Sequence, residues 1–434
     1  MFKGLKFAYL ATILDLFSPV ILLPFVIIYL NPNELGFWYL MASLNVIVKF
    51  PESALNASII RNCTYYLVQF KEKIQNDQIN KFKMILYNNI IEKKIYFLIF
   101  FSMILYLIPC SIYINYVTND VHLYFIWIIF VLSNIILTYG TKYKTISIIF
   151  DGIEKVYIPE AISKLIYVLL AIISLKLNLS LKGLVFAQLI SSLTYLIIIR
   201  RMYIINFQVK KINDDLNLIE KKFKNLIFII NAHVKKELIK QIKIEGANTL
   251  TARFGVLIVG AAFSVQEVAI YGLTSNLFSI IHRLSTLPFI YLTPFFAKLN
   301  GIKKNKLLLN LFKKVLMYSL LFAFIASLFV IFFGQYTLHI ISNAKIENTT
   351  TLLLFSIITI LSVFYDSFIT LLITKKDFIF LNSSILTGLI VILIQALFTN
   401  HLGINYLLLT TMIIPMSYIY WKWPIYTFKK LILT

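Results

Sequence analysis

The sequence predicts an all-α membrane protein of about twelve transmembrane helices arranged as two six-helix lobes. Three observations lead there. Of 434 residues, 59% are apolar and only 14% charged, a balance that suits lipid-facing helices and exceeds what one soluble core requires. Twelve apolar runs reach the length of about 20 residues needed to cross about 30 Å of hydrocarbon. The basic residues then sort onto alternate loops: 34 of the 41 Lys and Arg lie on one side, and only Lys176, Lys182 and Lys345 on the other. Cytoplasmic loops carry such an excess.

The predicted spans are 7–30, 36–60, 95–116, 121–141, 156–176, 183–203, 244–265, 271–297, 314–334, 351–374, 378–398 and 404–421. The opening MFKGLKFAYL runs into the first of them. This apolar stretch is too long for a signal-peptide core and lacks a small-x-small cleavage site, so an uncleaved span is expected. An even number of spans places both termini in the cytoplasm. Residues 142–155 read as a short basic cytoplasmic loop, and the expected external loops are all short, leaving no extracytoplasmic domain.

The basic stretch 204–243 reads as a cytoplasmic linker between an N-terminal lobe, 1–203, and a C-terminal lobe, 244–434. This is the arrangement of transporters built from two repeats. An offset of 233 residues lays Asn33-Glu34-Leu35-Gly36-Phe37-Trp38-Tyr39-Leu40 on Gln266-Glu267-Val268-Ala269-Ile270-Tyr271-Gly272-Leu273. The match begins at the turn before the second span of each half.

The net charge of +22 sits in short tracts between apolar runs, as membrane-flanking charge does, and no nucleic-acid partner is expected. Cys63 and Cys110 show no CxxC spacing, which suggests neither a disulfide framework nor a metal site. GxxxxGK[ST], HExxH and GxSxG motifs are missing, so no enzyme, ATP-driven step or cofactor is expected. Asp214-Asp215 lies in a Lys- and Asn-rich loop and does not read as a catalytic pair.

Four basic residues fall inside spans: Lys49, Lys164, Arg253 and Arg283. Lys49 lies about 18–20 Å from either end of span 2 at 1.5 Å per residue, too deep to snorkel, and Glu52 three residues on shares its helix face. The two fit either a buried pair that fixes register or a cavity-lining site. Pro51 between them interrupts the backbone ladder. Arg61 ends the same span, as a topology charge or a guard of a cytoplasmic cavity mouth. In span 8, the 233-residue offset places His282 on Lys49, beside Arg283, whose permanently charged fork suits phosphate or carboxylate. Asp15 and Asp366 add membrane carboxylates, able to exchange a proton or to pair with a buried cation. Arg253 and Lys164 lie nearer cytoplasmic ends and partly snorkel.

The stretch Leu30-Asn31-Pro32-Asn33-Glu34-Leu35-Gly36-Phe37-Trp38, running through Lys49 and Glu52 to Ile60-Arg61-Asn62, resembles the first two helices of bacterial polysaccharide flippases. These include O-antigen flippases of the Wzx type, in the multidrug/oligosaccharidyl-lipid/polysaccharide exporter superfamily. Asp151-Gly152-Ile153-Glu154-Lys155 followed by Pro159 is similar to the family's link between helices 4 and 5. Where the family often has Asp-Gly near the helix 2 kink, this chain has Pro51-Glu52-Ser53-Ala54.

The resemblance implies a MATE-like fold in the bacterial plasma membrane and a lipid-linked anionic substrate. That substrate would be an undecaprenyl-pyrophosphate-linked oligosaccharide, such as an O-antigen repeat unit of lipopolysaccharide. It would cross by alternating access through a cationic cavity holding Lys49, Arg283, Arg61 and Arg253. Proton or sodium coupling, or charge pairing, would fall to Glu52, Asp15, Asp366 and His282, and polysaccharide polymerase and glycosyltransferases would be partners. Three alternatives stand beside it: a MATE-type drug exporter, for which acidic rather than cationic groups are expected, a membrane glycosyltransferase or polymerase, which needs large external loops, and a lipid II flippase, a group that usually has two further spans.

Overall fold

The computed structural model describes residues 18, 19, 21–71, 93–118, 120–150, 154–207, 216–301, 305–341, 347–374 and 378–433. Among them there are helices and short turns and no strand. After a helical segment over 21–29 come α1 (Pro32–Lys71), α2 (Lys93–Leu105), a single π turn (Tyr106–Cys110), α3 (Ser111–Thr118), α4 (Val121–Phe150), α5 (Glu154–Lys176) and α6 (Ser180–Phe207). There follow α7 (Leu216–Ala262), α8 (Val265–Gly301), α9 (Asn305–Ile341), α10 (Thr349–Thr374), α11 (Leu381–Ser417) and α12 (Ile419–Leu433).

Seven stretches among the described residues are long and apolar enough to cross a membrane: Tyr96–Thr118, Val121–Ile149, Tyr157–Lys176, Ser180–Met202, Lys306–Tyr336, Thr349–Ile373 and Leu381–Lys430. They coincide with predicted spans, and the last holds two of them. Gly403 breaks α11 with φ 80°, a conformation that costs a side-chain-bearing residue energy and a glycine little. Gln395, 1% exposed, donates across the break to the Leu407 carbonyl at 2.9 Å and to Thr410 Oγ1 at 3.2 Å, which satisfies its amide away from water. Predicted spans 2 and 8 lie within α1 and α8, 40 and 37 residues long, and α7, of 47 residues, covers span 7 as far as Ala262. The multi-pass helical membrane fold expected from composition is the one found.

Two stretches differ from the sequence reading. Residues 142–150, expected in a loop, continue α4 for more than two turns, because Tyr143, Ile146 and Ile149 keep a buried stripe at helical spacing. Much of 204–243, expected as linker, is the first part of α7, where Ile230 and Val234 are buried one turn apart.

The chain divides into two compact units, one of residues 1–29 and 44–246 and the other of 30–43 and 247–434. In the first, α4 and α5 pack on α6 and α2 packs on α4. The π turn contains Pro109, which has no N–H to donate to a regular ladder. In the second unit, α8, α9 and α10 pack on one another, and α11 and α12 pack on α10. It contains a buried cluster of Phe289, Phe296, Phe312 and Phe368, all under 2% exposed.

The offset of 233 residues reappears in the helix starts. Asn31 Oδ1 accepts the Glu34 N–H at 2.8 Å while Glu34 Oε2 accepts the Asn31 N–H at 3.3 Å, a reciprocal capping box with Pro32 in the first helical position. At the equivalent positions Ser264 Oγ accepts the Glu267 N–H at 3.3 Å. Gly36 approaches the Val265 backbone so closely that a Cβ would lie 2.0 Å from its carbonyl oxygen, and the Tyr39 ring covers Gly272.

Candidate functional site

In the first unit, Asn45, Lys49, Glu52 and Asn56 recur on α1 at intervals of four, three and four residues, which puts them on one face. Each of the three other than Lys49 meets a partner from a neighbouring helix. Tyr106 Oη donates to Asn45 Oδ1 at 2.6 Å, Thr138 Oγ1 to Glu52 Oε2 at 2.8 Å, and Thr145 Oγ1 to Asn56 Oδ1 at 3.0 Å. The π turn aims Tyr106: Ser111 Oγ donates to its carbonyl at 3.0 Å, the Trp127 indole N–H donates to Ser111 Oγ at 3.1 Å, and the Tyr106 and Trp127 rings meet edge-on at 5.7 Å.

Lys49 is attracted to Glu52, and the two form no direct ion pair within 4 Å. Glu52 also acts on Lys144, whose ammonium is ion-paired with Glu160 of α5. Two lysines and two carboxylates thus balance within the unit. A further cation, Lys142, is 3% exposed and is held over tyrosine rings, 3.7 Å from the Tyr139 centroid, 4.9 Å from Tyr143 and 5.3 Å from Tyr96. Facing ring π-clouds accommodate such a charge. α1 stays helical through Pro51.

The second unit holds its polar groups differently. His282 Nε2 lies 3.0 Å from Asp366 Oδ2, joining α8 to α10. Beside Asp366, Tyr365 bonds Ser384 at 2.8 Å and meets the tilted Tyr420 ring at 5.4 Å, and the Tyr420 hydroxyl reaches Ser362 at 3.4 Å. Arg283 is exposed at the middle of α8, 18 residues from either end, and has no ion-pair partner among the described residues.

Of the expected site residues, the structure brings Glu52 to Thr138 and His282 to Asp366, and keeps Lys49 and Arg283 at mid-helix. Asp15 and the side chains of Arg61 and Arg253 lie outside the described residues. Glu160, Lys142, Lys144, Thr138 and Tyr106 were missed. The loop assigned to 142–155 hid both lysines. Glu160 was legible as a carboxylate five residues into span 5. Among the described residues no group of His, Cys, Asp and Glu is gathered as metal ligands.

No protein-family model and no curated protein matches the sequence. Among solved structures, the chain is similar to an inward-facing multidrug resistance MATE family transporter of the MOP superfamily, with TM-score 0.61 and 13% identity over 98% of this chain and 96% of that one. It is similar to the lipid II flippase MurJ in an inward closed conformation, with TM-score 0.60 and 14% identity over 99% of this chain and 88% of that one. A MATE protein in complex with MaD3S aligns at TM-score 0.51 and 12% identity over 100% and 97%. At these identities the likeness shows the fold, and the chain has the two-lobe helical fold of MATE and MurJ transporters.

Proposed function

We propose that this chain is a flippase that carries an undecaprenyl-pyrophosphate-linked oligosaccharide, a repeat unit of O-antigen or another surface polysaccharide, from the cytoplasmic to the outer leaflet of a bacterial plasma membrane. The observation that carries this reading is Arg283, exposed at the centre of α8, the helix that holds predicted span 8. Hydrocarbon does not tolerate such a charge, so water or an anion must meet it. A pyrophosphate suits its fork. Lys49 supplies a second cation at comparable depth, partly answered by Glu52.

The fold supports the reading, since one protein that shares it over 88% of its own length is a lipid II flippase. His282, held by Asp366 at 3.0 Å, is the group to carry a proton during the cycle. Glu52, between Lys49 and Lys144, serves as a fixed counter-ion. Deleting the gene and following surface glycan tests the proposal: lipid-linked repeat units accumulate on the inner leaflet and glycan disappears from the surface. Unchanged surface glycan with no accumulation would refute it.

A further inference from the structure

The polar row on α1 offers more hydrogen-bonding groups than its contacts with the neighbouring helices use. Asn45, Lys49, Glu52 and Asn56 are each half-buried, and Asn56 lies eleven residues after Asn45, about 16 Å along the helix. That length exceeds one sugar ring or one phosphate and matches a short glycan chain. The Asn45 and Asn56 Oδ1 atoms accept from Tyr106 and Thr145, which leaves both amide N–H groups without an acceptor among the described residues. Glu52 receives Thr138 on Oε2, which leaves Oε1 to accept.

A network that only fastens helices together uses up its donors and acceptors, because an unmet one costs stability. Here unmet groups recur. Asn134 of α4 adds another: it is 1% exposed, its amide N–H donates to the Phe130 carbonyl at 2.9 Å, and its Oδ1 has no hydrogen-bond partner among the described residues. It lies one turn before Thr138, on the α4 face turned to Glu52.

The mixture of groups selects the ligand. Lys49 and the two α1 amides donate, whereas Glu52 and Asn134 accept. A free anion is repelled by Glu52 and a free cation by Lys49, while a sugar hydroxyl, neutral and both donor and acceptor, meets neither penalty. We infer that the Asn45–Asn56 face of α1, with Asn134, binds the uncharged sugar residues of the transported lipid. This role rests on the flippase reading and adds to it the part of the substrate that the first unit recognises.

Native mass spectrometry of the purified full-length protein tests this with two probes, bare undecaprenyl pyrophosphate and the host's own undecaprenyl-pyrophosphate-linked repeat unit extracted from its membranes. Wild type should bind the glycosylated lipid about ten-fold more tightly than the bare one, the scale of one or two net hydrogen bonds. Asn56→Ser, which keeps a hydroxyl for Thr145, should cut that preference about three- to five-fold and leave binding of the bare lipid within about two-fold of wild type. Asn45→Ser should do the same opposite Tyr106. Arg283→Ala should weaken both lipids alike and keep the preference. Equal binding of the two lipids by wild type, or Asn45 and Asn56 variants that weaken both lipids equally or neither, would overturn the sugar-binding role and leave the flippase reading standing. Binding of neither lipid by wild type would overturn both.

Discussion

The two units solve the same problem in opposite ways. In each, the second and fourth predicted spans of one half make a polar contact, Glu52 with Thr138 in the first unit and His282 with Asp366 in the second. The first unit surrounds its contact with opposite charges, Lys49, Lys144 and Glu160, two cations against two carboxylates. The second leaves Arg283 without a counter-ion among the described residues, beside the hydrogen-bonded pair of His282 and Asp366. Charge balance of this kind favours a fixed scaffold, whereas an unanswered cation next to an imidazole favours binding and proton exchange.

Four pairs of substitutions break or sharpen that comparison. The largest effect is expected where repeat-equivalent positions differ: Gly36→Ala drives a Cβ into the Val265 carbonyl, backbone against backbone. It should cost at least about 3 kcal/mol and remove the protein from membranes, while Ala269→Gly should cost roughly 1 kcal/mol. Immunoblots of membrane fractions distinguish the two.

Next, Glu160→Leu leaves Lys144 without its partner and should destabilise the first unit by about 3 kcal/mol, the range for breaking a largely buried pair. Adding Lys144→Met should restore most of the loss, as thermal unfolding in detergent will show. A milder effect separates the two cations: Arg283→Ala should lower transport about ten- to hundred-fold with normal membrane levels, and Lys49→Ala by less than ten-fold, because Glu52 already answers Lys49.

The smallest effect concerns the turns before α4 and α10. Asp120 is exposed and caps His122 at 2.8 Å. Glu347 instead donates its N–H to Thr274 Oγ1 at 3.2 Å and buries its Oε1 without a hydrogen-bond partner among the described residues. Burial, reinforced by Glu267, pushes the Glu347 carboxyl up to about 7. A carboxyl whose folded value is raised gives stability that is complete below its unfolded value near 4.5 and is lost as pH rises through about 7. Glu347→Gln should abolish this slope and stabilise the second unit at pH 8 by on the order of 1 kcal/mol, a figure discounted because the carboxyl is partly solvated. Asp120→Asn should leave the slope unchanged.

Helix number and position were legible because hydrophobic length and basic loops are properties of composition. The eleventh and twelfth spans were separable by eye even though Gly403 is their only break. The repeat was legible too, in Asn31 and Glu34 against Ser264 and Glu267. What escaped was tertiary. The extension of α4 depends on which face Tyr143, Ile146 and Ile149 bury, and that decides whether Lys142 and Lys144 count as loop or interior. Tyr106 meets Asn45 only because a π turn at Pro109 rotates it, a shift of register that helical periodicity cannot encode. The pairing of His282 with Asp366 spans 84 residues and was open in the sequence among several cations.

The most direct test reconstitutes the purified chain into proteoliposomes with a fluorescent undecaprenyl-pyrophosphate-linked oligosaccharide and measures the label accessible to a membrane-impermeant quencher. The account predicts transfer between leaflets that requires the protein, falls about ten-fold or more in Arg283→Ala, and fails for the neutral undecaprenol-linked sugar. Equal transfer with and without protein, or equal transfer of charged and neutral lipids, would contradict it.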